Sequence, residues 1–144
     1  MPQNPPDGTQ RIIPYLYYQD AVEALAFLHD AFGFNERLRV PAADGGVMHA
    51  ELGFEENVVM LAGPLRGAHG EVRDLDTSGG SVMCYVDDVD AHHAHAVAAG
   101  ANITRALEDQ PYGDRLYAAV DPGGHQWFFA THIRDVSPEH HAQT

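Results

Sequence analysis

The chain has 144 residues, 44% of them hydrophobic, which suits one compact unit or two small ones and argues against a wholly disordered polypeptide. With 21 acidic against 8 basic residues the formal net charge is −13, a field that repels phosphate backbones and anionic lipid surfaces and makes nucleic acid a poor partner. No apolar run approaches a membrane span and no basic-then-apolar leader opens the chain; together with the lone Cys84 this points to a cytoplasmic protein in a reducing compartment.

Residues 1–10 hold three prolines and little that can be buried, and are expected to form a disordered or extended leader without function. Residues 11–19 read as a strand, with Pro14 marking an edge or bulge because it lacks an amide donor. Asp20 caps a helix in which Ala21, Leu25, Leu28 and Phe32 recur at helical spacing and Gly33 supplies the stop. Three strands follow over 35–40, 47–54 and 57–62, separated by Asp44-Gly45-Gly46 and by Glu55-Glu56. A first module, 11–63, therefore reads β-α-β-β-β. Residues 64–80 lack periodicity and read as a connection.

The pattern then repeats over 81–133: a strand at 81–87, Asp88 or Asp90 as cap, a helix at 91–99 stopped by Gly100, a strand at 103–107, and finally YGDRLYAAVDPGGHQWFFATH. That last stretch is strand, turn, strand, with Asp121-Pro122-Gly123-Gly124 as the turn. On its second strand Trp127, Phe129 and Thr131 share one face, and Gln126, Phe128, Ala130 and His132 the other. Burying Trp127 and Phe129 is worth roughly 2 to 3 kcal/mol each, so this hairpin belongs to the core. Residues 134–144 form a polar tail expected to be disordered. An offset of 68 residues carries Asp20 onto Asp88, residues 47–54 onto 115–122 and 57–62 onto 125–130 without a gap. The repeat is one of architecture rather than of letters. The expected fold is α+β: two tandem βαβββ modules forming a cupped mixed sheet, with the helices on its outer face.

The openings IIPYLYYQDAVEALAFLHDAFGF and SVMCYVDDVDAHHAHAVAAG, together with the closing hairpin, make residues 11–133 resemble the vicinal oxygen chelate superfamily of glyoxalases, extradiol dioxygenases and bleomycin and fosfomycin resistance proteins. The resemblance implies paired modules around an open cup, usually completed in a homodimer. It also implies four metal-ligand positions, two per module, filled by His, Glu or Gln in metal-using members. Those positions fall here on Ile13, Met60, Ser81 and Phe128, a set that cannot hold a hard or borderline divalent cation. No metal or other cofactor is expected.

If these four mark the cavity, alternation places Tyr15 and Tyr17 beside Ile13, Met83 and Tyr85 beside Ser81, and His132 beside Phe128. His49 and Glu51 share a face opposite Met48, Leu52 and Phe54, and the 68-residue offset sets Tyr117 level with His49 and Arg115 level with Val47. The resulting pocket is aromatic and apolar with a few polar groups, the make-up of a small-molecule site; the same aromatics also suit a plain core. His49 and Glu51 read either as an acid/base pair or as a structural hydrogen bond. His92, His93 and His95 read as solvent-exposed or as an adventitious metal contact rather than a functional site, His125 as ordering its turn, and His140 and His141 as part of the tail. The leading expectation is a dimeric, metal-free protein sequestering a small aromatic or cationic molecule. The alternatives are a lyase, isomerase or dioxygenase using His49 and Glu51, or a displaced metal site of His49, Glu51 and His132, and a regulatory domain with a vestigial cup.

Overall fold

The computed structural model describes residues 2–74 and 76–137. The chain falls into two compact units divided between Asp76 and Thr77. Each is a βαβββ module with one helix and a four-stranded mixed sheet, the α+β architecture expected from the repeat.

In the first unit, β1 (Tyr15–Tyr17), α1 (Ala21–Phe32), β2 (Asn35–Pro41), β3 (Val47–Phe54) and β4 (Asn57–Ala62) follow in chain order. The sheet order is β1-β4-β3-β2, with β1 parallel to β4 and the other pairs antiparallel. β1 has three residues rather than the nine read from the sequence, because Pro14 lies just before it and has no N–H to give a ladder. Asp20 caps α1 by accepting the Glu23 amide at 3.0 Å, and Gly33 ends the helix at φ 84, a left-handed conformation that a side chain disfavours. Ala24, Leu25, Leu28 and Phe32 on the helix and Ala50, Leu52, Val59 and Leu61 on the sheet are buried and form this unit's core.

The second unit holds β5 (Ser81–Tyr85), α2 (Val89–Ala98), β6 (Asn102–Asp109), β7 (Asp114–Val120) and β8 (Gln126–His132), in sheet order β5-β8-β7-β6. Asp88, not Asp90, caps α2. Thr131 accepts the Val89 amide and donates to the Val86 carbonyl, tying β8 to the start of the helix. His92 is not a solvent-exposed residue: its ring stacks on Phe129 at 4.3 Å and its Nδ1 lies 2.7 Å from the Tyr117 hydroxyl.

The gap-free superposition of the halves needs one correction. Tyr15 pairs with Met60 and Met83 with Phe128, both 68 residues apart. The middle strand slips by one, since Met60 pairs with Glu51 whereas Phe128 pairs with Ala118. The cause is hairpin length. Two residues lie between Phe54 and Asn57, and five between Val120 and Gln126, an odd difference that reverses which side chains share a face.

The five-residue loop is built on Asp121. Its carboxylate accepts the Gly123 and His125 amides at 3.0 Å each through Oδ1, and the Trp127 indole N–H at 2.9 Å through Oδ2. Trp127 is 0% exposed and Asp121 3%. Replacing Asp121 by alanine leaves a buried indole N–H without its acceptor and two loop amides unheld. The expected loss is about 3 kcal/mol of unfolding free energy, read by urea denaturation followed through Trp127, the only tryptophan; a loss below about 0.5 kcal/mol would be that of an ordinary surface change.

Candidate functional site

Each sheet has one face against its helix and one open face, and the pairing registers decide which side chains occupy the second. In the first unit Tyr15, Met60, Glu51 and Leu38 are successive cross-strand neighbours on the open face. Tyr17 and His49 share that face by alternation. Tyr15 stacks obliquely on Tyr17, with ring centroids 5.4 Å apart, and its hydroxyl lies 2.9 Å from His49 Nδ1. His49 Nε2 faces Glu51 Oε2 at 3.4 Å. The carboxylate accepts from Nε2–H, which leaves Nδ1 to accept the tyrosine hydroxyl. Burial, and then the neighbouring Tyr17, hold the Tyr15 phenol above its ordinary pKa, so it remains a neutral donor. A groove of about 900 Å³ opens beside this trio, lined by Tyr15, Tyr17, Met48, Ala62 and the β2–β3 loop. Met48 shares the helix-side face with Ala50 and Leu52 by alternation, yet is 62% exposed and borders this groove together with Asp20, Ala21 and Val22 at the start of α1.

The second unit answers with different chemistry. Ser81, Met83 and Tyr85 pair with Gln126, Phe128 and Ala130, and His132 pairs with Asp114, all on the open face. Tyr85 donates to Asp114 Oδ2 at 3.0 Å. His132 donates from Nδ1 to Asp114 Oδ1 at 2.8 Å and from Nε2 to Asp135 Oδ1 at 2.7 Å. Both ring nitrogens therefore meet carboxylates, and the imidazole pKa is raised above 6.5, by Asp135 first and Asp114 next.

Two residues assigned to the cavity lie on the other face. Tyr117 pairs with Phe129, stacks on it at 5.5 Å and is 0% exposed beneath α2. Arg115 shares that face and bridges Asp90 at 3.1 Å and Asp109 at 3.0 Å. The one-residue slip of β7 put both there, and put Asp114, which the sequence did not single out, onto the open face. With Val120 opposite Gln126, residue 114 faces 132. Cys84, on the helix side, has a thiol pushed by burial up to about 12 and is unreactive.

Ile13 and Met60 in the first unit, and Ser81 and Phe128 in the second, offer one thioether and one hydroxyl between them. These donors do not fit a divalent cation. Among the described residues no group of three or more His, Cys, Asp or Glu side chains is arranged to hold a metal ion. His140 and His141 lie outside the described residues. No helix among the described residues is long and apolar enough to cross a membrane.

The family model described as Glyoxalase/Bleomycin resistance protein/Dioxygenase superfamily matches residues 11–129. The uncharacterized protein Mb0911c of Mycobacterium bovis is 38% identical over 128 residues, covering 86% of this chain and 84% of its own length. Among solved structures, TioX from Micromonospora sp. ML1 is 34% identical with a TM-score of 0.68, over 86% of this chain and 99% of its own. TnmS3, an antibiotic binding protein from Streptomyces sp. CB03234, shares the fold at a TM-score of 0.65 and 18% identity, over 85% of this chain and 95% of its own.

The clamped His132 has a measurable signature. Because its folded value exceeds the unfolded one, its ion pairs contribute fully below about pH 6.5 and are lost as pH rises through the elevated value. NMR titration is expected to find the His132 pKa above 6.5, lowered by Asp135→Asn. The stability of the wild type relative to His132→Gln falls across the same pH window.

Proposed function

The chain belongs to the Glyoxalase/Bleomycin resistance protein/Dioxygenase superfamily, and on that premise we propose that it binds and sequesters a small aromatic or cationic molecule on its open sheet face without a metal. The observation that carries this is the first unit's groove of about 900 Å³, bordered by Tyr15 and Tyr17, where the Tyr15 hydroxyl, in contact with His49, supplies a polar anchor. Flat rings supply affinity there by stacking, and a few polar groups supply orientation. The acidic surplus favours a cationic guest over an anionic one. TnmS3 carries antibiotic binding on the same fold, which supports a drug as the guest.

A homodimer is part of the proposal. Leu38 and Val40 in one unit and Met83 and Tyr85 in the other remain at least 37% exposed, apolar surface that a second copy would cover. So is a cytoplasmic location, in keeping with a single, half-buried thiol.

A second reading, lyase, isomerase or dioxygenase chemistry, has one observation in its favour. The chain Glu51, His49, Tyr15 orients an imidazole between a carboxylate and a phenol, which suits general acid/base transfer. The fate of the guest separates the two: after incubation with the protein, sequestration returns it unchanged by mass spectrometry, and catalysis returns a product.

Isothermal titration with a panel of cationic glycopeptide antibiotics and planar drugs is expected to give micromolar or tighter binding by at least one. Tyr17→Ala is expected to weaken that binding about tenfold, roughly 1.4 kcal/mol. Saturation by none of the panel would remove the sequestration reading.

A further inference from the structure

The residues before β1 are built into the open face of the first unit. Met60 N–H donates to the Pro14 carbonyl at 3.0 Å, continuing the parallel ladder one residue beyond the strand. Two residues earlier Val58 presents its N–H and C=O in the same direction, past the point where β1 has ended. The side chain of Gln10 takes over as a substitute strand: Val58 N–H donates to Gln10 Oε1 at 3.0 Å, and Gln10 Nε2 donates to the Val58 carbonyl at 2.6 Å. Val58 is 0% exposed.

A second clasp lies across the sheet. The ladder between β2 and β3 is irregular between Glu36 and Leu38, and the intervening Arg37 runs over Gly53, where an added Cβ would stand 3.1 Å from Arg37 Cδ. Its guanidinium then donates to the Gly8 carbonyl at 3.2 Å. Between the clasps the segment reverses in a tight turn, closed by Thr9 N–H to the Pro6 carbonyl at 3.1 Å with Gly8 at φ 76. Beneath it is a pocket of about 330 Å³ bounded by Ile13, Glu51 and Met60.

We infer that residues 4–11 are a strap that gates this end of the open face, so that a guest reaches Glu51 and Met60 only when the Gln10–Val58 clasp opens. The gating of a guest rests on the sequestration reading; the strap itself does not. Its own side chains are largely exposed, so a pair of neutral hydrogen bonds and one guanidinium contact hold it, few enough to open without unfolding the sheet. The closed strap covers a floor of Ile13 and Met60 with the Glu51 carboxylate beside them, and opening exchanges that cover for a ligand.

Two readouts on the full chain test this without a ligand. Hydrogen exchange at the Val58 amide reports the clasp. Oxidation of Met60 by hydrogen peroxide, in which the peroxide gives one oxygen to sulfur and leaves as water, reports access to the pocket, with the already exposed Met48 as internal standard. Gln10→Ala and, separately, Arg37→Ala are expected to speed Val58 exchange about tenfold and Met60 oxidation severalfold, with Met48 oxidation and the amides of β7 unchanged. Wild-type rates at both positions in both variants would overturn the strap. So would a uniform rise across both units, because Gln10 would then support the fold as a whole. Failure of the drug titration with these results intact would count against sequestration alone.

Discussion

The second unit depends on a single carboxylate. Asp121 gathers two loop amides and the Trp127 indole onto its two oxygens, and in doing so sets the length and shape of the loop that joins β7 to β8. Loop length sets register, and register in a sheet sets faces, because side chains alternate with a period of two. Every assignment in that unit follows from it: Trp127, Phe129 and Tyr117 under the helix, and Asp114, His132 and Phe128 on the open side.

The same logic explains why two modules of one architecture present different chemistry. The two-residue loop between Phe54 and Asn57 leaves His49 and Glu51 on the open face, where they join Tyr15 in a chain of polar contacts. The five-residue loop of the second module carries the corresponding tyrosine under the helix and brings an aspartate forward, where it holds both Tyr85 and His132. One unit thus offers a phenol in contact with an imidazole beside an open groove, and the other a histidine held between two carboxylates. Neither arrangement is a cation site at the positions where metal-using relatives of the resembled kind place their ligands. Aromatic surface is what the faces have in common, and it is the basis for reading them as places where a guest stacks.

The leader shows how an edge left incomplete can be reused. β1 is short because Pro14 cannot donate, so β4 has backbone groups without a strand beside them. A glutamine side chain is the nearest chemical equivalent of a peptide group, with one carbonyl and an N–H pair, and Gln10 supplies it from a segment whose composition reads as unstructured. Composition reports the average affinity of a stretch for the core. It is silent about a single carboxamide placed opposite a vacant ladder position.

Much of the fold was legible in the letters. Helical spacing with Asp20 and Gly33, the strand runs, the Asp121 turn and the repeat all follow from local propensity and periodicity, and these act within a few residues of one another. Part of the site was legible too: Tyr15, Tyr17, His49 and Glu51 were placed together by alternation within neighbouring strands. Arg115, Tyr117, Asp114 and His92 were not, because their surroundings depend on how one strand registers against the next and on which face the helix covers. Those are long-range choices, made by the loop closing energy and the packing of Trp127, and an offset carried over from the first half could not contain them. Local order was determined by the sequence alone; which side of the sheet each reactive group looks out from was decided only when the strands paired.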